Sequence, residues 1–193
     1  MKNLTKGLTT SLCVFSLISV PCFGEEEKDK GFYATFGAGG VTVDDVTYSS
    51  TNYPIDNGFV LETGVGYRFN QNIRVEITYA GTSVDVKNSS LVTEAVTNSL
   101  LFNTIYDFAN QSNWTPYIGA GVGTVSIDTN ASTDDEDSAS TWQAKLGVTY
   151  DASEKVDVFG EYAFQNYGET NISNRDFAAI STNRLVLGLR YFF

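Results

Sequence analysis

From Gly31 to Phe193 the sequence alternates apolar residues with polar or small ones at a period of two. The alternation runs in stretches of about ten residues, broken by turn-forming residues, as transmembrane strands require. A period of two puts successive side chains on opposite faces of an extended chain, so each stretch is a strand with one apolar and one polar face. Eight stretches qualify: Gly31 to Val43, Gly58 to Phe69, Ile73 to Ala80, Val96 to Phe108, Pro116 to Ile127, Thr141 to Tyr150, Val156 to Gln165 and Arg184 to Phe193. After Gly24 no segment is apolar over the roughly 20 residues that a membrane-spanning helix needs.

The connections alternate in length. Those at 70–72, 109–115 and 151–155 are short, and those at 44–57, 81–95, 128–140 and 166–183 are long. Short turns on one side and longer loops on the other are the pattern of an antiparallel up-and-down barrel crossing an outer membrane. The fold class expected is therefore all-β, an eight-stranded antiparallel up-and-down transmembrane β-barrel. Ahead of it, Lys2 and Lys6, a short apolar run from Leu12 to Val20 and small residues before position 25 form a cleavable signal peptide. The expected division is a signal peptide at 1–24, a charged periplasmic linker at 25–30 and the barrel at 31–193.

A soluble barrel with its apolar face inward shows the same alternation. Side-chain size separates the two. An eight-stranded barrel is just wide enough to be filled by its own side chains. One face here carries Phe36, Phe102, Trp142, Leu146 and Leu187, and the other is rich in glycine and charge. Rings outside with glycines and long charged residues inside pack without strain; the reverse does not. The aromatic residues also cluster at strand ends. Phe32, Tyr67, Phe69, Tyr106, Phe108, Tyr150, Tyr191 and Phe193 fall at the short-turn end, with Phe59, Tyr79, Trp142 and Phe164 toward the other. Two interfacial girdles have this distribution.

Glu62, Arg68, Arg74, Glu76, Asp107, Lys145, Asp157, Glu161 and Arg190 share the inward parity. Both signs occur among them, as a buried network needs, because an unpaired ion away from water costs several kcal/mol. The reading is a salt-bridge plug rather than an ion path. Both cysteines, Cys13 and Cys22, lie in the leader, so no disulfide is available to the barrel. Loss of the leader with its two lysines takes the formal charge from −11 to −13, which excludes nucleic acid as a partner. No histidine occurs, so neither Ser–His nor Asp–His chemistry is available, and no catalytic, cofactor-binding or metal-ligating residue is assigned. The acidic run from Asp128 to Asp137 has oxygen ligands at alternate positions. An EF-hand counted from Asp128 would need Gly and Glu where Thr133 and Ala139 stand, so the run is read as a solvated loop.

The tail Leu185-Val-Leu-Gly188-Leu-Arg190-Tyr191-Phe-Phe193 resembles the closing strand of bacterial outer-membrane barrels. The segments from Trp114 to Gly123 and from Trp142 to Asp151 resemble the opacity-protein and OmpX-like "porin family" surface antigens, and the resemblance extends over the whole barrel region. It implies residence in the cell outer membrane among outer-membrane lipid and lipopolysaccharide. It implies that Leu189, Tyr191 and Phe193 form the signal read by the barrel-assembly machinery, and that no OmpA-like peptidoglycan-binding domain is attached. It implies a structural or surface-interaction role, adhesin- or surface-antigen-like, with external ligands at loops 44–57, 81–95, 128–140 and 166–183. The alternative is a narrow conduit for small solutes or lipid.

Overall fold

The computed structural model describes residues 30–43, 46–48, 51–53, 55–86, 94–129, 137–168, 170–172, 175–177 and 180–193. The expected signal peptide, most of the linker and the core of the acidic run, 130–136, lie outside the described residues. Twelve strands are described: β1 (Gly31–Val43), β2 (Val46–Tyr48), β3 (Thr51–Tyr53), β4 (Ile55–Arg68), β5 (Ile73–Val86), β6 (Glu94–Asp107), β7 (Trp114–Thr129), β8 (Asp137–Asp151), β9 (Val156–Tyr167), β10 (Thr170–Ile172), β11 (Arg175–Phe177) and β12 (Ile180–Phe192). Eight of them, in the order β1-β12-β9-β8-β7-β6-β5-β4, form a closed antiparallel barrel.

Closure is tilted. Starting at Gly31, successive paired residues are Arg68, Arg74, Ile105, Gly119, Lys145, Ala163 and Arg184, and the circuit re-enters β1 at Val41. The ten-residue offset between Gly31 and Val41 is the shear that obliges the strands to lean around the barrel axis.

The strands are longer than the alternation alone indicates. β5 continues six residues beyond Ala80 to Val86, β8 begins at Asp137 rather than Thr141, and β12 begins at Ile180 rather than Arg184. The loops expected at 44–57, 81–95, 128–140 and 166–183 shrink accordingly. Two of them contain two-stranded hairpins, β2–β3 and β10–β11. The added strand length lies at the outer ends, where the apolar contrast between faces fades while backbone pairing continues.

The short turns are held by their own side chains. Asn70 Oδ1 accepts from the amides of Asn72 and Ile73 at 2.8 and 3.0 Å. Asn110 Nδ2 donates to the carbonyl of Trp114 at 2.9 Å, and Ser153 Oγ accepts from the Val156 amide at 3.1 Å. Local side-chain bonds of this kind substitute for the ladder where the chain reverses.

The faces divide by parity. Phe102, Leu146 and Leu187 point away from the axis, with 50%, 57% and 71% of their surface accessible, whereas Arg74 and Glu76 are buried inside. The interior also holds rings: Tyr33, Tyr117, Phe159, Tyr167 and Phe192 are buried. The expectation that aromatic residues lie outside is corrected on this point, and the luminal glycines explain how. Gly66 faces Tyr33, Gly147 faces Tyr117 and Gly188 faces Phe159 in the register. A Cβ on each of these glycines would come within 2.2, 2.5 and 2.4 Å of the ring Cζ opposite. Each missing side chain is the recess that receives its neighbour's ring.

The glycines on the outward face follow a different rule, since a Cβ at Gly40 would meet nothing nearer than 4.0 Å. Gly66→Ala is therefore expected to destabilise the barrel by about 1–3 kcal/mol. Gly40→Ala should be neutral or stabilise by up to about 1 kcal/mol. Urea unfolding of the two variants in lipid vesicles, compared by midpoint, checks both.

Candidate functional site

The candidate site is the lumen, because there the strands bring together every charged residue singled out from the sequence. Short ladder steps aim each one inward: Glu62 and Arg68 from β4, Arg74 and Glu76 from β5, Asp107 from β6, Lys145 from β8, Asp157 and Glu161 from β9, and Arg190 from β12.

Near the short-turn end, Arg74 Nε donates to both Asp107 carboxylate oxygens at 2.9 and 3.2 Å. Arg68 reaches Asp107 at 3.8 Å and Asp157 at 3.9 Å. Arg190 meets Asp157 at 3.3 Å and donates to Thr149 Oγ1 at the same distance. The guanidinium planes lie on rings as well as on carboxylates. Arg68 sits 4.7 Å from the centre of Phe192, Arg74 4.8 Å from Tyr117, and Arg190 5.4 Å from Tyr33. Contacts between a desolvated guanidinium and a π face supply attraction where water is excluded.

Higher in the lumen, Lys145 Nζ pairs with Glu161 Oε1 at 2.8 Å, and the Tyr117 hydroxyl donates to Glu161 Oε2 at 2.9 Å. Arg184 lies 3.7 Å from Glu62 and also donates to the Gln143 side-chain oxygen. From there a directional relay crosses the barrel: Gln143 donates to Asn103, Asn103 to Thr78 at 3.0 Å, and Thr78 to Glu76 at 2.9 Å. Glu76 in turn faces Arg74 at 3.7 Å. Above this level Gln165 bridges Ser99 and Thr141, each at 3.1 Å, and Val125, Ala139 and Tyr167 form an apolar cluster near the outer mouth.

Arg184 is absent from the residues singled out from the sequence, though it is buried and ion-paired. Its parity is that of Gly188 and Arg190, so the signal was present; it was obscured because Arg184 stood at the assigned start of its strand. With Arg184 included, the luminal residues joined in ion pairs are Glu62, Glu76, Asp107, Asp157 and Glu161 against Arg68, Arg74, Lys145, Arg184 and Arg190, an equal number of each sign. Such a set can be buried without net charge, which is the condition for placing ions in a low-dielectric interior. At the short-turn end a polar recess of about 170 Å³, lined by residues including Gln71, Asn110 and Asp151, ends on Arg68 and Asp107 themselves.

The outward wall carries ring pairs at the short-turn end: Phe32–Tyr67 at 4.8 Å, Tyr106–Phe108 at 5.2 Å and Tyr191–Phe193 at 5.6 Å between centroids. Trp114, which the sequence assigned to a turn, opens β7 and packs on Tyr150 at 4.7 Å. Toward the other end, Trp142 and Phe164 pair at 5.6 Å. The Tyr79 hydroxyl donates to Asn98 Oδ1 at 2.8 Å, and the Tyr162 hydroxyl donates to Asn183. These bonds turn the phenol tips toward a polar collar on the outer part of the wall. At the closing strand, the Phe193 amide donates to the Phe32 carbonyl at 3.2 Å, and its ring remains exposed outside.

The ion pairs make a quantitative expectation. Lys145→Met leaves Glu161 buried without its cation and should cost about 3–5 kcal/mol, while the double variant Lys145→Met/Glu161→Leu should recover most of that loss. Equilibrium unfolding of the three proteins in vesicles measures it.

Comparison with known proteins bears on the whole chain. The family described as "Outer membrane protein beta-barrel domain" matches residues 10–193. The outer membrane protein PagN of Salmonella typhimurium is 27% identical over 132 residues, covering 57% of this chain and 53% of PagN, so the chain spans about half the length of that relative. The Rickettsia conorii protein named "Putative adhesin RC1281" is 24% identical over 177 residues, covering 72% of this chain and 69% of that one. Among solved structures, Neisserial surface protein A is similar in fold, with a TM-score of 0.68 at 23% identity, covering 84% of this chain and 97% of that chain. With the closed barrel, its outward apolar wall and a family match that takes in every barrel strand, the chain belongs to the outer membrane protein β-barrel domain family and resides in the cell outer membrane.

Proposed function

We propose that this chain is a sealed wall that displays its outer loops, with a structural and surface-interaction role of the adhesin or surface-antigen kind. The observation that carries the reading is the filled lumen. Ion pairs, the Gln143–Asn103–Thr78 relay and the Val125–Ala139–Tyr167 cluster occupy successive levels of the interior. A wall with this interior has no function of transport to perform, so the variable chemistry lies in the loops. The likeness to PagN and to a rickettsial protein named as an adhesin supports the same role. The loops are rich in Ser, Thr, Asn and Asp, and their acidic excess suits a cationic or neutral partner better than a polyanion.

The nine charged residues read from the sequence, joined by Arg184, act in this proposal as a structural plug. The purified barrel should give no stable nanosiemens-scale steps in planar bilayers; reproducible steps would favour the conduit instead. Expression of the chain on a non-adherent outer-membrane host should confer binding to host cells or matrix. Replacing 87–93 and 130–136 by Gly-Ser linkers should abolish that binding while leaving heat-modifiable migration, the mark of a folded barrel, unchanged. Loss of migration together with binding would make the effect one of folding and leave the display reading without support.

Leu189, Tyr191 and Phe193 are proposed as the assembly signal, supported by their common outward face and by the exposed terminal ring. Deleting Phe193 should lower the amount of assembled barrel in outer-membrane fractions, measured against total protein by heat-modifiability. Unchanged assembly would remove the role.

A further inference from the structure

The outward wall is not smooth. Beside β4 and β5 a groove of about 400 Å³ opens on the lipid side, walled by Phe36, Phe59, Leu61 and Tyr79 over a floor of Gly81 and Ser83. Gly81 creates it. Its parity is outward, and it pairs with Leu61 on one side and Asn98 on the other. A Cβ there would meet nothing nearer than Asn98 Oδ1 at 3.6 Å. Gly66, Gly147 and Gly188 make room for rings of this chain; among the described residues no ring or other side chain fills the space left at Gly81. Glycine in a strand can mark the close approach of another molecule; unlike the outward Gly40, Gly81 lies inside a recess walled by rings.

The groove has a direction. Tyr79, Gly81 and Ser83 climb toward the outer end of β5 at Val86, while Phe36, the lowest residue, lies midway along β1. The groove passes the Tyr79–Asn98 hydrogen bond, where the wall changes from apolar to polar. It therefore opens at the outer interface and reaches the middle of the hydrocarbon, the path of one acyl chain suspended from the outer leaflet. A phospholipid of the inner leaflet approaches from the short-turn end, which the groove does not reach. A second barrel would present a broad convex sheet, which the protruding Phe36 and Phe59 rings hold off.

We infer that this groove holds an acyl chain of the outer-leaflet lipopolysaccharide, packed on Phe59 and Leu61 with its polar end at the Tyr79–Asn98 level. The test uses the whole barrel, folded into vesicles of lipopolysaccharide whose lipid A carries a mid-chain diazirine. After irradiation and digestion, peptides from β4 and β5 should be labelled several-fold more than those from β9 and β12. Gly81→Leu, which fills the floor, should abolish the enrichment. Gly160→Leu, a substitution of an outward glycine on the opposite wall whose Cβ would lie 3.4 Å from Leu187, should leave it intact. Ser83→Leu, blocking the outer end, serves if Gly81→Leu does not fold by heat-modifiable migration. Even labelling around the wall, or enrichment that survives a groove-filling substitution, would overturn the inference. So would equal enrichment from vesicles of diazirine-labelled phosphatidylcholine, or cross-linked dimers lost on Gly81→Leu, which would assign the groove to any acyl chain or to a second copy.

Discussion

The structure depends on the closing of the sheet at the β1–β12 seam. In hydrocarbon an unpaired amide or carbonyl has no water to satisfy it and costs several kcal/mol, so a strand can cross only if both edges are occupied. The pairing of Tyr33 with Phe192 through Val43 with Thr182 removes the last two edges at once. It also fixes the register of every other strand, because the circuit from Gly31 back to Val41 has to close on one offset. A slip of β12 by one residue would turn Leu187 inward and Arg190 outward. The apolar wall and the charged lumen are two consequences of one closure, and neither could be altered alone.

Closure at eight strands then leaves an interior that side chains can fill. The chain fills it with long charged side chains, and burial forces those charges to balance. This explains why single ion pairs are less informative than the set. Arg68 lies near two carboxylates at 3.8 and 3.9 Å, distances that make poor isolated salt bridges, yet it joins the Arg74–Asp107 pair to the Arg190–Asp157 pair. Cation–π contacts with Phe192, Tyr117 and Tyr33 stabilise the same guanidiniums. The glycines set the geometry. Gly66, Gly147 and Gly188 let the rings lie flat across the neighbouring strand, which brings the rings under the arginines.

Most of this architecture was legible in the sequence because parity is a robust signal in a barrel: it decides the face of Phe102, Leu146 and Arg74 without knowledge of any partner. Parity carries no depth and no neighbour. Nothing in it says that Gly66 stands opposite Tyr33, since that depends on the offset between β1 and β4. The glycine that receives each luminal ring and the relay through Gln143 were invisible for the same reason. Strand ends were underestimated where the wall leaves the hydrocarbon. In Gly81-Thr-Ser-Val-Asp-Val86 the outward positions are small or polar, so the contrast that marks a membrane strand disappears although the ladder with β6 runs on to Asp85 and Glu94. The hairpins β2–β3 and β10–β11 have three residues to a strand, too few for a period of two to announce them.

The division of charge follows from that division of labour. The luminal side chains joined in ion pairs carry equal numbers of acids and bases, so the formal charge of −11 comes from residues elsewhere, and the acidic run from Asp134 to Asp137 is its densest part. A wall whose charges cancel internally exerts little field beyond the membrane, and the field above the membrane is set by the loops alone. Among the described residues, the luminal ion pairs lie below the apolar cluster of Val125, Ala139 and Tyr167, the highest level described inside. In the proposed reading, a charge-balanced network under an apolar cluster keeps the wall's interior separate from the loops it displays.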